Sequence, residues 1–324
     1  MRNSGPTARL GFAVKVLGRP GLKSNDARRW QSGPHLRVSL EYLEAIFDYL
    51  AETGIQMYRI SSDIAPYVTH LEMPRFHNQI AECREELAAL GVRVRALDLR
   101  LSMHPSQYIV LNSPDERIAA SAVRDFVYHA EFLDGLGVGP EAKIVTHVGG
   151  AYGDRDAAMS RFVERYEVLP DTVRARLVLE NDETLYGVPD TVAIHDRCGV
   201  PLVFDNLHHA VNNPGGLSTI EACRRCLATW PSGERPKIHF SSQRQEAREV
   251  ARRNRKTGET TVTMRPAKAG QHADDVDAAE FLDFIAGFDS PLPFDVMLEA
   301  KQKDLALLRL RDAISAAGMD NAIW

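Results

Sequence analysis

Short, nearly unbroken apolar runs alternate along the chain with longer stretches in which apolar residues recur every three or four positions. KIVTHV, RLVLEN, PLVFDN and FDVMLE are runs of the first kind. Such continuity suits strands buried on both faces of a parallel sheet. They belong to eight predicted strands: Ala8–Val14, Gln56–Ser61, Val92–Met103, Lys143–Val148, Arg176–Asn181, Pro201–Asp205, Lys237–Ser241 and Phe294–Glu299. Helical spacing predicts eight helices between and after them. Val38–Glu52 carries Leu40, Leu43, Ile46, Phe47 and Leu50 on one stripe, and Arg75–Leu90 is followed by Gly91 as C-cap. Pro114–Leu136 opens on a Ser113-Pro114 cap; Asp156–Val168, Thr191–Cys198, Ser218–Trp230, Asp275–Ala286 and Asp304–Ala316 complete the set. The alternation shows no second compositional block and no finer repeat. It predicts an α/β chain folded as a single (β/α)8 TIM barrel over residues 1–324.

Two stretches interrupt the rhythm. Arg19–Pro34, directly after the first strand, is rich in Gly, Pro and Arg. Gln243–Gln271, after the seventh, holds Arg244, Arg248, Arg252, Arg253, Arg255, Lys256, Arg265 and Lys268. A loop of that length is unusual between a strand and its helix. Its charge suits either nucleic-acid contact or a solvated surface, with a helix expected at Gln243–Asn254.

Composition narrows the class. Hydrophobic residues at 44% and charged residues at 26% are those of an ordinary globular protein. A net charge of −5 excludes a bulk polycation, so contact with nucleic acid requires a local basic surface. No membrane span or signal peptide is discernible, and four cysteines make no disulfide framework, so a cytoplasmic protein is expected. Cys223 and Cys226 form a lone C-x-x-C in a helical context and are read as structural.

The chemistry lies at the strand ends. The third strand ends at His104, the fourth at His147 and the fifth at Glu180. The sixth ends at Asp205, with His208 three residues on, the seventh at His239 and the eighth at Glu299. In a barrel these ends face one mouth, where active sites are built. One such residue proves little, but six consecutive strands each supplying His, Asp or Glu would be costly to bury without divalent metals to coordinate them. Seven candidate ligands exceed the needs of one ion, so two or three are expected, bridged by Glu180 or Asp205. Without cysteine ligands, Mn and Zn both suit the set, and the ligands alone do not separate them. By contrast His35, His77, His129 and His195 fall in loops or helices and are read as structural or surface. His208 is preferred to His209, because D-x-x-H spacing lets the two side chains converge.

Together RLGF, YRISSDIAPYVTH, SMHPSQYIVLNSP, THVGG, LENDE, FDNLHH, KIHFSS and AGQHADD resemble the UV damage endonuclease family across nearly the whole chain. The resemblance implies a metal-dependent endonuclease that nicks duplex DNA immediately 5′ of cyclobutane pyrimidine dimers, 6-4 photoproducts and abasic sites, leaving a 3′-hydroxyl and a 5′-phosphate. It implies His104, His147, Glu180, Asp205, His208, His239, His272 and Glu299 as metal ligands, His272 resting mainly on the GQHADD match. His70 matches a family histidine near the catalytic centre. Lys237 matches a lysine that can carry a modification of carboxylate type; the alternative is an unmodified phosphate-binding ammonium. Gln107 and Tyr108 match a pair pushed into the duplex at the lesion, consistent with Tyr as a stacking face and Gln as a hydrogen-bonding filler. Phe12 stands where relatives often have tyrosine and is expected to keep the stacking contact with DNA. Arg19–Pro34 departs from the family pattern. The implied partner is damaged double-stranded DNA, with a monomeric protein and neither a protein partner nor a membrane.

Three rivals differ in what they require. An endonuclease IV-like enzyme shares the barrel and metals but acts at abasic sites. A metal-dependent sugar isomerase also places His, Glu and Asp at strand ends, but needs no aromatic wedge or basic insertion. A non-catalytic damage-binding protein has no need of a complete polynuclear site.

Overall fold

The structure is a computed structural model that describes residues 8–253, 257–289 and 292–320. Its strands in chain order are β1 (Leu10–Ala13), β2 (Met57–Ile60), β3 (Arg100–Met103), β4 (Lys143–Thr146), β5 (Leu177–Glu180), β6 (Leu202–Val203), β7 (Lys237–Phe240), β8 (Arg248–Arg253), β9 (Thr260–Arg265) and β10 (Asp295–Leu298). Eight of them pair in parallel in the order β6-β5-β4-β3-β2-β1-β10-β7. A parallel bridge between Asp205 and His239, with His239 N–H donating to Phe204 O at 2.8 Å, joins the two ends. The sheet thus closes as a (β/α)8 TIM barrel, as the alternation predicts.

Side chains along each strand divide with period two. Leu10, Phe12, Tyr58, Ile60, Leu101, Ile144, Leu177, Leu179, Phe204, Ile238 and Val296 join the large apolar core that includes the surrounding helices. The alternate set faces the barrel axis, where Val145, Val178, Val203 and Trp230 form a small separate apolar cluster. The amino-terminal end of the barrel is filled with charge instead. Buried Asp295 accepts from Arg100 at 2.7 Å and from Arg235 at 2.6 Å, while Lys143 pairs with Glu234 at 2.6 Å. This floor closes one end and leaves the carboxyl-terminal end for chemistry.

Four local expectations need correction. Val92–Met103 is not one strand: helix Arg84–Ala96 runs through Gly91, and only Arg100–Met103 is extended. Leu87, Leu90, Gly91 and Val94 are buried at helical spacing, which overrides the local V-x-V alternation. The Arg75–Leu90 segment breaks into a 3-10 turn at Pro74–Phe76, a short helix at Gln79–Glu82 and the start of that longer helix. Helix Glu116–Gly135 is capped by Asp115, which accepts from Arg117 N–H, and not by Ser113. The basic stretch contains no helix at Gln243–Asn254; β8 and β9 form an antiparallel hairpin there. Thr- and Val-rich alternation and Gly258 at φ +77° favour the hairpin over the helical propensity of its Arg and Glu residues. Asn254, Arg255 and Lys256 lie outside the described residues. Cys223 and Cys226 are buried in helix Thr219–Leu227, as expected of structural cysteines.

At Gly91 the helix passes close to the backbone at Leu136. A Cβ at this position would stand 1.8 Å from Leu136 O. Gly91→Ala should therefore destabilise the fold by about 3 kcal/mol or more, since a backbone carbonyl cannot rotate aside. Gly54→Ala, at φ +64° with open space around it, should lose only about 1 kcal/mol through backbone strain. Urea denaturation of the two variants tests this ranking.

Candidate metal centre

The strand ends converge as the barrel requires. Three groups of side chains have ligand atoms lying within 4.8 Å of one another: His104, His147 and Glu180; Glu180, Asp205 and His208; and Glu180, His239 and Glu299. Glu180, at the end of β5, is common to all three. Its Oε2 lies 3.1 Å from His104 Nε2 and 3.5 Å from His147 Nε2. Its Oε1 lies 2.7 Å from His239 Nδ1 and 3.6 Å from His208 Nδ1.

Local structure aims these rings. Asp205 caps the short helix Asn206–Val211 by accepting from His208 N–H at 2.8 Å. The D-x-x-H spacing therefore works through a helix cap, with His208 on the first turn and not in a loop. His208 Nδ1–H donates to Asn181 O at 3.0 Å, and His104 Nδ1–H donates to Pro105 O at 3.1 Å. Such bonds fix ring orientation: His104 turns Nε2 toward Glu180, while His208 Nε2 lies 3.6 Å from Glu183 Oε2. His239 is held the other way: Arg59 donates to its Nε2 at 2.8 Å, so Nδ1 faces Glu180 and Glu299. His272 adjoins the groups without belonging to one. Its Nδ1–H donates to Glu299 O at 2.7 Å, and its ring centroid is 6.3 Å from that of His208.

The site's titrations follow from dense burial of carboxylates. Burial raises the Asp205 carboxyl to about 7, with Glu180 and Glu299 adding repulsion that His208 only partly offsets. His208 is raised to about 9: burial opposes its charge, but the carboxylates around it prevail. His239 falls to about 3, mainly through burial and then the Arg59 charge. Glu180 and Glu299 stay ionised despite burial, held down by neighbouring imidazoles and, for Glu299, by Arg59.

The donor set fits divalent cations. It mixes imidazole nitrogen with carboxylate oxygen and contains no thiolate, and Asp205 Oδ2 and His147 Nδ1 are buried without a hydrogen-bond partner. Lys237, two residues before His239 and on the same strand face, is fully buried and its Nζ has no hydrogen-bond partner. Burial, reinforced by Arg59 and Arg100, depresses its pKa well below that of an ordinary lysine.

The remaining expected residues are placed differently from one another. Gln107 and Tyr108 are exposed on the loop after β3, Tyr108 to 78%. With His104, His147, His208 and Glu299 they line a cavity of about 690 Å3. His70 is exposed in the turn after β2, outside the three groups, where its carbonyl accepts from His77 Nε2. Phe12 is a correction. Its ring is 0% exposed and packs at 5.3 Å from Tyr58 on the helix side of the sheet, so it presents no face to a base. Of the control histidines, His35 caps helix Leu36–Thr53 and pairs with Glu82, His129 bonds Asp125 O, and His195 bonds Val200 O. His209 turns away to Leu217 O. Arg59 was not anticipated from sequence: its Nη2 is 2.6 Å from Glu299 Oε1, beside the bond to His239. A charged residue in the middle of the buried run MYRI was the available signal.

Fold and site together define a TIM barrel with a candidate polynuclear metal centre at its carboxyl-terminal mouth. The family profile described as UV-endonuclease UvdE matches residues 37–322. The chain is 36% identical over 270 residues to a UV DNA damage endonuclease of Bacillus velezensis, covering 83% of this chain and 78% of that one. It is likewise 36% identical over 265 residues to one of Bacillus pumilus, covering 81% and 76%. The crystal structure of SacUVDE superposes with a TM-score of 0.80 at 31% identity, covering 96% of this chain and 99% of that one. The chain belongs to the UV-endonuclease UvdE family and is an endonuclease. A D-psicose 3-epimerase structure shares the fold at 12% identity and a TM-score of 0.54, over 97% and 99% of the two chains.

If the cluster holds metal, loading it should stabilise the protein by mass action, by about 2.7 kcal/mol at a hundred times the dissociation constant. Thermal melts with Mn2+ or Zn2+ should exceed those in chelator by several degrees. Equal melting temperatures at millimolar metal would contradict the assignment.

Proposed function

We propose that the protein is a metal-dependent repair endonuclease that nicks duplex DNA immediately 5′ of cyclobutane pyrimidine dimers, 6-4 photoproducts and abasic sites, leaving a 3′-hydroxyl and a 5′-phosphate. The observation that carries this reading is the juxtaposition, in one cavity, of the Glu180-centred imidazole–carboxylate groups and the exposed Gln107-Tyr108 loop. Family membership and the names of the relatives support the substrate class.

His104, His147, Glu180, Asp205, His208, His239, His272 and Glu299 would hold two or three divalent ions, Mn the first choice and Zn the second. Such ions, when bound, activate water and stabilise the leaving oxygen of a phosphodiester. Glu180 reaches three groups at once and so fixes their separation. Arg59 neutralises part of the carboxylate charge and orients His239. Lys237, buried and shifted toward the neutral amine, is suited to a carboxylate-type modification; a neutral amine is the form that reacts with carbon dioxide, losing a proton as the carbamate forms. His70 is assigned a place near the catalytic centre on family resemblance alone.

Gln107 and Tyr108 act on recognition. A damaged step stacks poorly, so inserting Tyr108 there costs less than at an intact step. Phe12, enclosed in the core, takes no part.

Glu180→Gln should abolish nicking of irradiated plasmid while largely retaining lesion binding. One ligand oxygen becomes an amide nitrogen and a charge is lost at the shared position. Full nicking by a metal-replete variant would remove Glu180 from the centre.

Tyr108→Ala should reduce lesion affinity about 5- to 150-fold, the range expected when ~1–3 kcal/mol of base stacking is lost. Affinity for intact duplex should fall less, because phosphate contacts serve both substrates. Paired binding constants at fixed salt measure this; an unchanged affinity ratio would make Tyr108 structural.

A further inference from the structure

The β8–β9 hairpin leaves the carboxyl-terminal end of β7 and so projects from the barrel face that carries the candidate centre. Its stem is tied to that centre. Gln243 and His272 form a bridge, Arg244 N–H donates to Gln271 O at 2.7 Å, and Ala273 N–H donates to Ser242 O at 2.8 Å. Gln243 also accepts from Gly270 N–H and donates to Lys268 O, and Arg244 is paired with Asp274. Beyond this stem the arm is solvated; every residue of β9 is exposed.

Register sorts the arm into two unlike faces. Arg248 lies opposite Arg265 and Val250 opposite Thr263 on one face; Glu249 lies opposite Met264 and Ala251 opposite Val262 on the other. Two like charges directly across a ladder repel, and this pairing weakens the hairpin in isolation. Among the described residues neither Arg248 nor Arg265 has a carboxylate partner, whereas Arg244 at the stem does. Residues 243–271 carry eight basic and three acidic side chains, in a chain whose overall balance is −5.

We propose that the hairpin is a duplex-gripping arm whose Arg248–Arg265 face takes the phosphate backbone of the DNA flanking the lesion. This rests on the nuclease reading and adds a partner surface to it. The paired guanidiniums face an anion that relieves their repulsion, and each guanidinium can bind a phosphate through two N–H groups. Six residues per strand give the arm a length of about 17 Å, enough to reach along the phosphate backbone beside the site. The arm contacts backbone and not base edges, so it strengthens binding to damaged and intact duplex alike. The rigid stem beside His272 sets the distance between the gripped phosphates and the cleaved one.

The test is the salt dependence of binding, measured on one undamaged and one UV-lesion duplex with the full-length, metal-loaded protein. For Arg248→Gln/Arg265→Gln the slope of log affinity against log salt should become shallower by about two. Affinity for both duplexes should fall on the order of tenfold or more at 0.1 M salt, with their ratio preserved. Arg248→Lys/Arg265→Lys should restore the slope. Both positions lie on a solvated arm, and matched thermal melts of the variants confirm folding. A wild-type slope and affinity in the glutamine variant would overturn the proposal, as would loss of discrimination between the two duplexes. Wild-type protein that fails to nick irradiated DNA would instead defeat the nuclease reading, so the two failures are separable.

Discussion

Three carboxylates, buried Glu180 and Asp205 and partly buried Glu299, crowd together at one end of a closed barrel, and the rest of the site is arranged around their charge. Alone they would repel one another strongly in a low-dielectric interior. The raised Asp205 carboxyl and raised His208 imidazole are both consequences of that crowding. Four histidines within 3.6 Å of Glu180 and the Arg59 guanidinium against Glu299 supply the compensation in the protein itself. Such a cluster is poor as a stability device, since an apolar plug would serve as well or better. It makes physical sense as a preorganised set of ligands.

Barrel closure is what brings these ligands together. Asp205 and His239 are bridge partners across the last seam, so the backbone bond that joins β6 to β7 also sets two site residues side by side. At the opposite end, Asp295 gathers Arg100 and Arg235, and Lys143 pairs with Glu234. Charge occupies both ends of the barrel axis, with a small apolar cluster of Val145, Val178, Val203 and Trp230 between. At the mouth Asp205 Oδ2 and His147 Nδ1 have no hydrogen-bond partner, and neither does the Nζ of Lys237, which starts β7 opposite Asp295.

The barrel and its strand-end residues were legible because both follow from local sequence. Apolar runs of four to six residues mark parallel strands, and the residue at each run's end faces the mouth by period two. His272 carried no such signal, since it sits after the hairpin and not on a strand; the GQHADD match pointed to it. Arg59 has no local signature of its role, because its partners His239 and Glu299 lie on other strands, about 180 and 240 positions away. Phe12 was misplaced by parity: it lies on the helix side of β1, with Tyr58, and not on the axis side. The hairpin was obscured by strong helix formers whose propensity yields to cross-strand pairing. Gly91 resembles a helix stop in local sequence, while its actual constraint, close approach to the Leu136 carbonyl, comes from a residue 45 positions away.

The central claim is that Glu180 organises a polynuclear metal centre. The most direct measurement is anomalous diffraction from crystals of the metal-loaded protein at the absorption edge of the bound element. The account predicts at least two ions within coordination distance of Glu180 oxygens, with imidazoles of His104, His147, His208 or His239 completing their shells. Anomalous density located elsewhere, or a single ion that does not touch Glu180, would contradict it.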